Sequence, residues 1–152
     1  MIAFRALVLA SSAAALAACA EEIAGPEPWP VSLEILREIT EDPGTEEAWR
    51  GPPVVTVAGG EGAVTVEGDF LLPCVNYGVR AEGERRADTL LLKVRMAGDV
   101  FCANLKIKYA YRARMRRLDP GFYTVRVFHE LFLETQGGIG LIEVQRSRVP
   151  VN

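Results

Sequence analysis

Apolar and polar residues alternate along most of this chain, and that alternation predicts strands. The clearest run spans residues 105–116. Leu105, Ile107, Tyr109, Tyr111, Ala113 and Met115 hold the odd positions, and Lys106, Lys108, Ala110, Arg112, Arg114 and Arg116 the even ones. A period of two with one apolar and one charged face means a half-buried antiparallel strand. "VSLEILREI" alternates at Val31, Leu33 and Ile35 and then loses the pattern, so a strand and a short helix both fit it. Further strand signals are "VVTV", "AVTVEGDFLL", "CVNYGVRA", "TLLLKVRM", "FYTVRVFHELFLE" and "IGLIEVQRS". The turns "AGGEG", "EGERRAD", "AGD", "LDPG" and "TQGG" punctuate them. About seven or eight short strands with Gly/Pro turns and no long helix predict an all-β chain, a single antiparallel β-sandwich. The sandwich is expected over residues 31–152.

The N-terminus follows another pattern. A short basic segment, residues 1–5, precedes an apolar run of small residues over 6–18, which reads as a secretory signal. The run is too short for a membrane span, which needs about 20 apolar residues. The four residues "LAAC", Leu16 to Cys19, resemble the lipobox of bacterial lipoproteins. The resemblance implies a signal peptide over 1–18, cut before Cys19, and a diacylglyceryl group on the Cys19 thiol. Two or three acyl chains at about 0.8 kcal/mol per buried methylene hold a protein firmly to a bilayer. Ala20 is not the Asp that retains many such lipoproteins in an inner membrane. The expected location is therefore the cell envelope, lipid-anchored, with the outer membrane favoured if the cell has two. Residues 19–30, rich in Pro and acid, are expected to be the acylated cysteine and a tether.

With Cys19 acylated, Cys74 and Cys102 remain as an even pair in a compartment where disulfides persist. A disulfide between them is expected; two free thiols or a metal pair are the alternatives.

A second resemblance is carried by "LDPGFYTVRV". It looks like the L-x-P-G-x-Y-x-V-x-V hairpin of immunoglobulin-like, transthyretin-like and Cna-B-like sandwich domains, here as Leu118, Pro120, Gly121, Tyr123, Val125 and Val127. The resemblance implies a tyrosine corner, with the Tyr123 ring buried and its hydroxyl bonded to the backbone of the preceding turn. The segment from "LLPCVNYGV" to this hairpin is also similar to domains of no assigned function in bacterial lipoproteins. Unlike the pair of true immunoglobulin domains, Cys74 and Cys102 are close in sequence with no Trp between them. A bridge across the sheets and one between sequentially close strands both remain open.

Charge changes the picture only through its distribution. The net charge is −3 and the apolar share 49%, an ordinary globular balance that predicts no particular partner. Yet residues 20–49 hold nine acids against Arg37, and residues 93–117 hold eight bases against Asp99. Such asymmetry marks an interaction face or lets one segment pack beside the other. The even face of 105–116 would set Lys106, Lys108, Arg112, Arg114 and Arg116 in a row of roughly 34 Å, a candidate anion-binding face. Its expected partners are anionic envelope glycan, lipid headgroups or another envelope protein. The plain alternative is a solvated sheet face balanced by acids on neighbouring strands. No aromatic residue interleaves on that face, so nucleic acid is not expected.

Catalytic chemistry finds little support. One His, no G-x-S-x-G, no phosphate-cradling glycine loop and no metal-spaced cluster leave no catalytic residue, metal ligand or cofactor to predict. His129 is in phase with Tyr123, Val125 and Val127 and reads as a core or sheet-edge histidine. Glu82 and Glu84 beside Arg85 and Arg86 read as a solvated loop. The expectation is a non-catalytic binding or structural module of the envelope. A subunit of a larger envelope assembly is the alternative, and an extracytoplasmic enzyme a third, because paired carboxylates could hide among 20 acids.

Overall fold

Period-two side-chain alternation leaves each strand one apolar face to bury, and two sheets laid face to face bury all of them. The structure, a computed structural model, describes residues 25–41, 53–72, 78–97, 106–133 and 138–152. Among these are nine strands: β1 Glu27–Trp29, β2 Val31–Glu41, β3 Val55–Gly60, β4 Ala63–Leu72, β5 Gly78–Arg86, β6 Thr89–Ala97, β7 Lys106–Arg116, β8 Gly121–Leu133 and β9 Gly138–Val151. One sheet has the order β1-β5-β6-β8-β9 and the other β2-β7-β4-β3, so the molecule is an all-β sandwich. Cys19, Cys74 and Cys102 lie outside the described residues.

The core sits where the inner faces meet. Val64, Val66 and Phe70 of β4 and Ile107, Tyr109, Tyr111, Ala113 and Met115 of β7 face Leu90, Leu92, Val94 and Met96 of β6 and Tyr123, Val125 and Val127 of β8. Burying each such aliphatic side chain contributes about 1.5–3 kcal/mol. Burial follows a period of two; β6 alternates half-buried and buried positions at every step from Thr89 to Ala97.

Three expectations change, and one open alternative is resolved. The stretch expected to be tether already contains β1, whose Glu27, Pro28 and Trp29 pair with Arg85, Glu84 and Gly83. Three residues are too few to show a period, so the strand is silent in the sequence. The chain crosses from one sheet to the other at Pro30, and Gly83 permits this: a Cβ there would stand 2.4 Å from Val31 Cγ2 and 2.6 Å from the Trp29 carbonyl. Second, residues 31–41 form a strand throughout; a bulge between Ile35 and Arg37 breaks the alternation that had left a helix open.

Third, the expected loop "EGERRAD" is mostly strand. β5 runs to Arg86, Arg86 pairs with Thr89, and only Ala87 and Asp88 turn. Ala87 takes a positive φ of 52°, unusual for a residue with a Cβ, so no glycine advertises the turn. Fourth, the sandwich is not wholly antiparallel. β6 and β8 pair in parallel, Thr89 with Thr124 through Val94 with His129, because the chain leaves β6 for β7 in the opposite sheet before returning as β8.

One end of the sandwich is knit by backbone bonds between its turns. Gly62 N donates to Asn152 O at 2.9 Å, Leu118 N to Gly62 O at 3.1 Å and Thr124 N to Asp88 O at 2.9 Å. We call it the turn end. It gathers the chain crossing at Pro30, the β3–β4 and β5–β6 hairpins and the approach to β8.

Candidate functional site

β7 lies between β2 and β4, so the cations on its outer face have a neighbour on each side, except Arg116, which pairs with β4 alone. Register decides what that neighbour is. Arg112 stands opposite Glu34 on β2 and Glu67 on β4. Its Nε donates to Glu67 Oε1 at 2.6 Å and its Nη1 to Glu34 Oε2 at 3.4 Å. Lys108 Nζ lies 3.0 Å from Asp69 Oδ2. These two cations are balanced by acids, Glu67 and Asp69 from β4 and Glu34 alone from the acidic β2.

The same row changes character towards the turn end. Arg114 stands opposite Ser32 and Thr65, and Arg116 opposite Ala63. Both are exposed, as is Arg117, and none of the three has an ion-pair partner among the described residues. Lys106 occupies the first position of β7, paired with Glu41 in register; its side chain is outside what is described. The predicted row therefore divides into a neutralised part, Lys108 and Arg112, and an open part, Arg114 and Arg116.

The inner face of β7 carries a feature that periodicity alone does not reveal. Tyr111 Oη and His129 Nε2 share a hydrogen bond of 2.8 Å across the core, from one sheet to the other. Phe70 sets its ring edge-on to the imidazole at a centroid distance of 5.2 Å. Gly68 pairs with Tyr111 in register, and a Cβ there would come within 3.1 Å of the Tyr111 hydroxyl, so the glycine leaves room for the ring. His129 is fully buried, and its Nδ1 has no hydrogen-bond partner among the described residues. Desolvation lowers the imidazole pKa to about 4, so His129 is neutral at pH 7. Burial, with the charge of Asp69, raises that of the Tyr111 phenol. A neutral, water-excluded pair fits a core histidine and offers a substrate no approach.

Tyr123 occupies its expected corner. Its ring is buried and its hydroxyl donates to the Asp119 carbonyl at 3.1 Å. Arg85 lies over both the Trp29 ring at 4.8 Å and the Tyr123 ring at 5.5 Å, and Trp29 Nε1 donates to the Arg116 carbonyl at 2.9 Å. These contacts fasten β1 to the turn end.

On the opposite outer surface, cations and acids alternate. Lys93 pairs with Glu84. Arg95 Nε comes 3.2 Å from Glu82 Oε2, without the alignment of a hydrogen bond. Glu130 Oε2 accepts from Met96 N at 3.0 Å, just past the last β6–β8 pair. Glu143 lies between Arg146 and Arg126, whose hydrogen bonds hold its carboxyl down to about 2. Among the described residues, no three His, Cys, Asp or Glu side chains gather as metal ligands, and no helix is long and apolar enough to cross a membrane.

Compared with protein-family models, with curated proteins and with solved structures, the chain matches none.

Proposed function

We propose that the protein is a lipid-anchored envelope lipoprotein whose β-sandwich acts as a non-catalytic binding or structural module for an anionic partner. The observation that carries the anchor is the apolar small-residue run ending in Leu16–Cys19. The open arginines at the end of β7 support the anionic partner, since an exposed cation with no local acid is free to meet a charge from outside. Metabolic palmitate labelling tests the reading: the parent chain takes label, and Cys19→Ala abolishes both label and cleavage. Label retained by the variant would refute it.

The disulfide belongs to the same reading. The described strand ends flanking Cys74 and Cys102 lie together, with Leu72 paired to Ile107 and Gly78 to Ala97. A closed bridge would add roughly 3.5 kcal/mol by restricting the unfolded chain. Thiol titration of denatured, unreduced mature protein is expected to find neither cysteine free.

The alternative, a subunit of a larger assembly, draws on β2. This edge strand exposes Ile35 and Leu36 at its bulge, where another strand could add. Cross-linking in intact cells that joins this edge to a second protein would favour it.

A further inference from the structure

Arginines without an ion pair gather at the turn end. Arg86, Arg114, Arg116 and Arg117 are exposed there without ion pairs among the described residues, and Arg85 pairs with Asp119. Glu27, Glu61 and Asp88 are the remaining acids, so cations are in excess. Beside them Phe122 is 60% exposed at the start of β8, with the Arg148 guanidinium over its ring at 5.3 Å. Arginines around an exposed aromatic ring suit an interface of charged headgroups over hydrocarbon.

Chain length favours the turn end as the one that meets a membrane. Eight residue-to-residue steps lead from Cys19 to Glu27, and fully extended they span at most about 29 Å. Glu27 pairs with Arg85, one residue from the end of β5, so the chain enters at the turn end. Glu27 is level with Val125 of β8, through Arg85 and Leu90, so eight residues of that strand, about 26 Å, lie between it and the opposite end. Were the opposite end against the bilayer, the chain from an acylated Cys19 would have to run almost fully extended to Glu27. The turn end meets no such limit.

We propose that the turn end, with Arg86, Arg114, Arg116, Arg117 and Phe122, rests on an anionic phospholipid surface of the membrane that holds the Cys19 anchor. This rests on the lipoprotein reading and adds an orientation and a ligand class to it. Each arginine near such a surface shifts the docked-to-free balance about fivefold.

The test uses the mature acylated chain in vesicles, with Trp49→Phe so that Trp29, at the turn end, is the sole tryptophan. Quenching of Trp29 by headgroup-nitroxide lipid is compared in phosphatidylcholine vesicles with and without phosphatidylglycerol. The expected result is stronger quenching with phosphatidylglycerol, lost at about 1 M salt, where the screening length falls to about 3 Å. Arg114→Glu, Arg116→Glu and Arg117→Glu together are expected to return it to the phosphatidylcholine level, with thermal melts confirming the fold. Arg112→Glu, on the same strand face but farther from the turn end, is expected to change it little. Equal quenching in both lipids overturns the proposal, and so does an Arg112→Glu effect as large as that of the triple variant, which would mean the whole outer face lies down. A failed anchor looks different: protein stays in the supernatant of phosphatidylcholine vesicles, and the lipoprotein reading falls with the orientation built on it.

Discussion

The two faces of β7 answer to different rules, although they alternate residue by residue. Inside, Tyr111 has its hydroxyl matched by His129 from the opposite sheet, because a buried hydroxyl left alone costs about 1–3 kcal/mol. Outside, Arg112 is held by two carboxylates while Arg114 and Arg116 carry none, and the fold tolerates the difference because water solvates the unpaired charges. Stability is therefore concentrated on the inner face, and freedom to bind is left on the outer one. Substitutions on the two sides should differ in kind: inner ones move the melting curve, outer ones move association.

The largest effect is expected at the corner next to β7, where the inner rule holds in its plainest form. Tyr123→Ala removes a buried ring and the hydroxyl that meets Asp119, and is expected to destabilise by about 3–5 kcal/mol. Tyr123→Phe, which keeps the ring, should cost about 1 kcal/mol. Denaturant melts of both variants beside the parent measure this. A Tyr123→Ala protein as stable as the parent would place the ring outside the energetic core and break the contrast between the faces.

The next effect is pH dependence from His129. In the folded chain its pKa is about 4, against about 6.5 for a free imidazole, because burial disfavours the charged form. Between those values the unfolded chain binds a proton that the folded chain does not, so stability falls as pH drops from about 6.5 to about 4. Below about 4 both states are protonated and this contribution levels off. The full loss is about 3 kcal/mol at 1.36 kcal/mol per unit. Melts across this range should show the slope in the parent and lose it in His129→Gln. The carboxyl of Glu143, held down by Arg146 and Arg126, titrates lower and stays in both proteins, so their difference isolates the histidine. An unchanged slope in the variant would mean that the imidazole is not the group whose charging opposes folding.

How much of this contrast could be read from the chain alone depends on how local each cause is. The two faces of β7 were legible because alternation is a nearest-neighbour property, and Tyr123 because the hairpin motif fixes its corner within ten residues. The pairing of half the basic row was not. It depends on Glu34 and Glu67 falling opposite Arg112 while Ser32 and Thr65 fall opposite Arg114, and that register is set by strands far away in sequence. The partner of His129 was hidden in the same way. The phase placed the histidine inside, but the meeting with Tyr111 needs both sheets and the space left by Gly68. β5 was misread because "EGERR" has the composition of a turn, whereas its two glutamates are strand side chains paired with Lys93 and Arg95.

The smallest effect sharpens the comparison within the outer face itself. Arg112→Ala removes the cation from between Glu67 and Glu34, leaving two carboxylates near each other without their shared counter-charge. Arg116→Ala removes a cation that no acid among the described residues holds, and the hydrogen bond from Trp29 goes to its backbone carbonyl, which alanine keeps. The first variant is expected to melt slightly below the parent, by less than either inner-face change, and the second to melt with it. The Arg112 loss should also shrink at about 1 M salt, because an exposed pair is screened over about 3 Å there. In a Glu67→Ala background it should shrink too, as the main partner is already gone. Thermal melts of the parent, the three single variants and the Glu67→Ala/Arg112→Ala double variant at low and high salt decide the matter. An Arg116→Ala protein that melts well below Arg112→Ala would show that the open arginine is bound into the fold, and the division of the outer face into a paired and a free half would fail.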